Sequence, residues 1–178
     1  TDYVPMGTDL LFACANMEGL VIGAEICEDV WVPNPPSNRH ALAGATLIVN
    51  ASASDENTGK DLYRRSLVEN QSARLVCGYI YADAGEGEST TDLVFAGHNL
   101  ICENGTLLRE SERFTTGLIT ADLDLERLRN ERRRMTTFGP LDSEGYQRVA
   151  FTVRKAPLSL ERFVDPAPFV PGNKADRD

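Results

Sequence analysis

The chain has 178 residues, with 18 Lys plus Arg against 27 Asp plus Glu for a formal charge of −9, and 42% hydrophobic and 25% charged side chains. That length fits one domain able to bury about 70% of its unfolded surface, and the mix excludes a disordered tail, a collagen-like fibre and a coiled coil. The acidity argues against nucleic acid or an anionic membrane as partner, and no apolar stretch approaches the ~20 residues of a bilayer span.

In chain order, Thr1 runs straight into Asp2-Tyr3-Val4-Pro5, with no initiator Met and no charged n-region leading into an apolar h-region. The expectation is a piece of a longer protein without a visible leader. Apolar runs of strand length follow at residues 9–14, 20–26, 46–50 and 75–81, each bounded by Gly, Asn or Asp. Residues 37–43, after the stop Pro33-Asn34-Pro35-Pro36, and residues 57–74 carry helical spacing. In the longer segment Leu62, Ser66, Leu67, Gln71 and Arg74 make one inward face. Strand alternating with helix predicts an α/β layered fold.

Beyond residue 90 the segments shorten. Residues 93–95, 99–102, 106–108 and 117–121 read as strands, with Asn104-Gly105 as a two-residue hairpin turn. Residues 124–134 are amphipathic, and Arg132-Arg133-Arg134 among neighbouring charges reads as a solvated helix face rather than a phosphate site. From Pro157 on, Pro166, Pro168 and Pro171 with several charges read as a linker or docking arm.

Cys14, Cys27, Cys77 and Cys102 lack CxxC spacing, and His40 and His98 are the two histidines, so no metal site is expected. Thiols inside apolar runs point to a reducing compartment, hence a cytoplasmic protein. Cys27 ends an apolar strand and is followed by Glu28 and Asp29. Such a cysteine is either a buried core thiol or a nucleophile on a strand-to-helix elbow, with the Glu28 N–H free for an oxyanion. The residues alone leave both open. Neither histidine has an identifiable acidic partner, which argues against a Cys-His dyad. Ser54 and Lys60 follow the third strand and read either as a helix-entry loop with capping serines or as contacts for a polar substrate group and its carboxylate. The acidic, Gly-rich residues 85–91 have the wrong charge for a phosphate loop. They read as a flexible loop or as the lining of a cleft.

Ala24-Glu25-Ile26-Cys27-Glu28-Asp29-Val30-Trp31 resembles the nucleophile motif of the nitrilase, or carbon-nitrogen hydrolase, superfamily. Residues 5–12, Pro35-Pro36-Ser37, residues 82–93, Glu103-Asn104-Gly105 and residues 111–114 narrow the resemblance to the glutaminase domain of glutamine-dependent NAD synthetases. It covers about residues 3–134 and again 162–171.

The resemblance implies part of a four-layer α-β-β-α sandwich and a cysteine that attacks glutamine. A glutamyl thioester forms and ammonia passes through a tunnel to a C-terminal synthetase domain. There ATP and Mg support amidation of nicotinic acid adenine dinucleotide. It further implies Cys27 as nucleophile, the Glu28 N–H at the oxyanion, Ser54 and Lys60 as glutamine contacts, and a homo-oligomer paired through helices and C-terminal arms. Some relatives carry Arg where Lys60 stands, and Lys keeps the charge without the bidentate fork.

The family triad is Glu, Lys, Cys in chain order. Its Glu and Lys precede the cysteine motif, and none of Glu18, Glu25, Lys60 or Lys155 matches them. The Ser-Gly-Gly-x-Asp-Ser nucleotide loop of the synthetase half is absent. The expectation is therefore a partial glutaminase domain over residues 1–156 and a linker over 157–178, with no cofactor of its own. An unassisted thiol is a weak nucleophile at neutral pH, and losing one oxyanion donor costs ~10²–10³ in rate, so these residues alone should not hydrolyse glutamine. The alternatives are a stand-alone nitrilase-type amidase and a non-catalytic assembly module.

Overall fold

The apolar runs become strands of one seven-stranded sheet. The structure, a computed structural model, describes residues 6–139, 141–157, 159–164 and 170. β1 (Leu10–Cys14), β2 (Val21–Ile26), β3 (Leu47–Ser52), β4 (Gly78–Asp83), β5 (Leu100–Glu103), β6 (Thr106–Glu110) and β7 (Gln147–Phe151) lie in the order β6-β5-β4-β3-β2-β1-β7. The centre, β2-β3-β4, is parallel, with crossovers through α1 (Pro36–Leu42) and α2 (Lys60–Leu75). β1 runs antiparallel to β2, β7 parallel to β1, and β5 and β6 close the other side antiparallel.

Side chains alternate across a sheet, and the register sorts them into two faces. Gly23, Ile48, Tyr79 and Cys102 form one cross-strand row, and Glu25, Asn50, Tyr81 and Leu100 the next. All eight are buried on the face covered by α1 and α2. Gly23 is required there, since a Cβ would stand 2.9 Å from the Cβ of His40 on α1. The opposite face carries Ile22, Ala24, Ile26, Val49, Ala51, Ile80 and Ala82. Leu123 packs on its lower end at Gly78, but Ile26 is 69% exposed. The chain is thus a mixed α/β fold showing two layers of the expected sandwich, helix and sheet, with the second sheet face apolar and half open.

Several boundaries differ from expectation. Residues 75–77 belong to the end of α2. Val76 takes φ +46°, its N–H reaches Ala73 O at 3.1 Å and the Cys77 N–H reaches Ser72 O at 3.1 Å, the left-handed stop that ends many helices. Residues 93–95 form no strand. Phe95 makes a single bridge to Asp55, and Ser89 Oγ and Thr90 Oγ1 accept the N–H groups of Phe95 and Leu93 at 3.1 and 3.2 Å. These hydroxyls replace a ladder. Residues 117–121 also form no strand and pair with none of the seven.

β7 is absent from the sequence reading. Its alternation is blunted by exposed Gln147 and Arg148, and it forms by capturing the free edge of β1. α3 (Leu125–Arg134) is as expected, with the Asp124 side chain accepting the Arg127 N–H at 2.9 Å. Of the expected arm, Pro166, Pro168 and Pro171 lie outside the described residues. Arg162 is held by Glu103 at 2.7 and 2.8 Å, and its N–H by Asp122 at 3.0 Å.

Candidate active site

The three parallel strands end on one side, at Ile26, Ser52 and Asp83, the end of an open α/β sheet where ligands bind. Cys27 follows β2 at φ +50° and opens a 3₁₀ turn, Cys27–Trp31. A non-glycine residue there costs about 1–2 kcal/mol, so the neighbours must hold it.

Asn50 does so from the adjacent strand. Its Oδ1 accepts the Cys27 N–H at 2.9 Å and its Nδ2 donates to the Cys27 carbonyl at 3.3 Å. Ser52 Oγ donates to the same Oδ1 at 3.0 Å, and Nδ2 also reaches the Tyr79 hydroxyl at 3.3 Å. Tyr79 in turn donates to Glu25 Oε1, and Glu25 Oε2 accepts the Ser37 N–H at 2.8 Å. Burial, with the Glu25 carboxylate beside it, pushes the Tyr79 hydroxyl far up and keeps it protonated. On the other side of the elbow the Ile26 N–H is held by Asp29 Oδ2 at 2.7 Å.

Cys27 is half-buried, whereas Cys77 and Cys102 are buried and each is pushed up to about 12 by burial. Those two are core thiols. Glu28 is exposed, and its N–H lies in the first turn, where no intrahelical acceptor exists.

Ser54 is 5% exposed. Its N–H donates to Asp83 Oδ1 at 2.8 Å and its Oγ accepts from Arg64 Nη2 at 3.2 Å. Lys60 opens α2, pairs with Asp55, and places its ammonium 5.6 Å from the ring centre of Trp31. That hydrogen bond holds the Asp55 carboxyl below its usual range. Because Trp31 closes the turn that Cys27 opens, Lys60 comes beside the elbow while Ser54 sits in the frame behind it. The loop at residues 85–91 leaves β4 at the same strand end and is mostly exposed.

His98 does have an acidic partner, against the sequence reading. Its Nε2 lies 2.8 Å from Glu110 Oε1, and Arg64 Nη1 lies 2.9 Å from its Nδ1. The pairing arises from two segments brought together by β5 and β6, which spacing does not show. Asn50, Tyr79 and Arg64 had not been singled out either. The available signal was a polar Asn closing the apolar run Leu47-Ile48-Val49.

Arg132 also departs from the solvated-face reading. Its guanidinium donates to the carbonyls of Val76 and Leu75 at 3.0 and 2.8 Å, capping α2. Burial holds its pKa below the ordinary value. It lines, with Arg129, Arg133 and Arg148, a cavity of about 380 Å³ at the far end of the sheet. Arg148 there donates to Ala43 O at the end of α1, at 3.0 Å. Among the described residues no His, Cys, Asp or Glu group gathers to hold a metal ion, and no helix is long and apolar enough to cross a membrane.

The glutamine-dependent NAD(+) synthetase of Mycobacterium tuberculosis is 47% identical over 180 residues, covering 96% of this chain and 26% of that protein. The chain thus spans about a quarter of the length of such curated relatives. Two solved structures share the fold. The glutamine-dependent NAD+ synthetase of Acinetobacter baumannii has a TM-score of 0.56 at 22% identity, over 64% of this chain and 21% of that one. Nit3 of Saccharomyces cerevisiae, a nitrilase-superfamily member, has 0.57 at 20%, over 66% and 42%. The family model for carbon-nitrogen hydrolases matches residues 1–133. With most of its length under that match, the chain belongs to the carbon-nitrogen hydrolase family.

Proposed function

We propose that this chain is the cysteine-bearing part of the glutaminase of a glutamine-dependent NAD synthetase. In this reading Cys27 Sγ attacks the side-chain amide carbon of glutamine, and the Glu28 N–H takes up the charge on the carbonyl oxygen. The C–N bond breaks, the nitrogen leaves as ammonia after gaining a proton, and water hydrolyses the thioester to glutamate. Lys60 receives the substrate carboxylate, and Ser54, whose oxygen accepts from Arg64, keeps its own O–H to donate. The ammonia serves ATP- and Mg-dependent amidation of nicotinic acid adenine dinucleotide in a C-terminal synthetase domain. Residues 1–156 belong to the glutaminase and 157–178 lead towards that domain, in a cytoplasmic homo-oligomer.

The observation that carries this reading is the placement of Cys27. Cys14 is half-buried too, at the end of β1, but of the four thiols Cys27 alone stands on a left-handed elbow, clasped by Asn50 at the end of a central strand. The 47% identity to NAD synthetases over nearly the whole chain supports the substrate. No described side chain hydrogen-bonds the Cys27 thiol, which supports the reading that the described residues by themselves do not turn glutamine over.

The test compares the full-length protein with its Cys27→Ala variant, supplying glutamine or ammonium as nitrogen donor. The expected result is loss of glutamine-dependent NAD formation by at least about 10³-fold, with the ammonium-dependent reaction kept. Equal activity of the variant with both donors would remove Cys27 from the chemistry.

A further inference from the structure

Behind the candidate substrate contacts lies a buried charge network that the chemistry above does not use. Arg64, in the second turn of α2, has no exposed surface. Its Nη1 donates to Glu56 Oε2 at 3.0 Å and to His98 Nδ1 at 2.9 Å. Its Nη2 donates to Ser54 Oγ at 3.2 Å and to the Asp55 carbonyl at 3.4 Å. One guanidinium therefore grips three consecutive residues of the β3–α2 loop, and Asp55 within that loop pairs with Lys60.

A guanidinium only donates, so His98 Nδ1 accepts and the ring proton sits on Nε2. From there it is donated to Glu110 Oε1 at 2.8 Å. Glu110 Oε2 is held by Arg65 at 3.1 Å, and Glu56 Oε1 by Arg113 at 3.5 Å. His98 is 2% exposed. The imidazole bridges α2 to the end of β6, and it orients the guanidinium on which the loop hangs.

We propose that Arg64 and His98 are positioning residues for the amide substrate: they set the orientation of Ser54 and, through Asp55, of Lys60. Neither touches Cys27, which is held separately by Asn50. The inference rests on the glutaminase reading, because Ser54 and Lys60 are substrate contacts only within it. A long-range brace of this kind fixes binding geometry, and its loss falls on substrate affinity before it falls on the nucleophile.

The experiment uses the full-length protein, with His98→Leu and His98→Asn compared against wild type and Cys27→Ala. Asn keeps an acceptor near the Nδ1 position and Leu keeps none. Glutamine KM and kcat are measured together with the rate of Cys27 alkylation by iodoacetamide. The expected result is a KM raised about tenfold in His98→Leu, kcat and the alkylation rate within about twofold, and partial recovery of KM in His98→Asn. An unchanged KM overturns the inference. So does a rise in KM matched by equal falls in kcat and alkylation rate, or loss of soluble protein in both variants, each of which assigns His98 to folding alone. A wild type without glutamine turnover, or a Cys27→Ala variant that keeps it, overturns the glutaminase reading itself and this inference with it.

Discussion

At Cys27 the backbone stores strain that its side chain does not need. A φ of +50° suits glycine, yet the position holds a cysteine clasped on both backbone polar groups by Asn50. Strain held by an over-determined frame is a mark of a functional elbow. Cys27→Gly is therefore expected to be more stable than Cys27→Ala by about 1 kcal/mol, with both variants inactive towards glutamine. Urea denaturation midpoints of the two variants check this, and equal midpoints would show that the elbow carries no strain. Glu25 at this scale is structural. It is 3% exposed and spends both oxygens on Tyr79 and the Ser37 N–H, so it backs the elbow from below and is not placed as a general base.

At the scale of elements, helix ends do much of the positioning. α2 begins at Lys60, whose ammonium lies beside Trp31, and ends at Val76 in a left-handed stop without glycine. The carbonyls at that stop are capped from α3 by Arg132, which also packs over Phe138 with its guanidinium carbon 4.7 Å from the ring centre. Removing a charged donor leaves buried carbonyls unpaired. Arg132→Ala is expected to lower stability by about 2 kcal/mol, read as a shifted denaturation midpoint at unchanged slope. A shift under about 0.5 kcal/mol, the size of an ordinary surface change, would return Arg132 to a solvated face. The helix expected at residues 57–74 forms as α2, but of its expected inward face only Gln71 is buried and Leu67 half-buried; Leu62, Ser66 and Arg74 are exposed, and Arg64, Val68, Ser72 and Leu75 face the sheet instead. The strands expected at 93–95 and 117–121 do not form: apart from the single bridge of Phe95 to Asp55, neither segment pairs with another strand.

For the whole molecule, one face of the sheet is packed by helices and the other is apolar and half open, with Ile26, Ala24, Ala51 and Ala82 exposed along the upper part. Exposed apolar surface of this continuity drives association. The 178-residue chain on its own is expected to self-associate at micromolar concentration, and lysines at Ile26 and Ala82 are expected to shift it towards monomer. Light scattering against concentration measures both. A chain that stays monomeric without the lysines would show that this face needs no second layer. Glu103 and Asp122 pin Arg162 at the end of the sheet remote from Cys27.

The sequence by itself determined the alternation of strand and helix, the hairpin at Asn104-Gly105, Cys27 as the candidate nucleophile, and the family through the motif around it. These depend on local period, turn chemistry and residue type, all written in neighbouring positions. Only the tertiary structure decided that Asn50, Tyr79 and Glu25 form the frame of the elbow, that His98 answers Arg64 and Glu110, and that Arg132 caps a helix rather than facing solvent. Register sets those contacts, joining residues as far apart as Glu25 and Tyr79 or Val76 and Arg132. A polar side chain carries no local sign of the distant partner that will bury it.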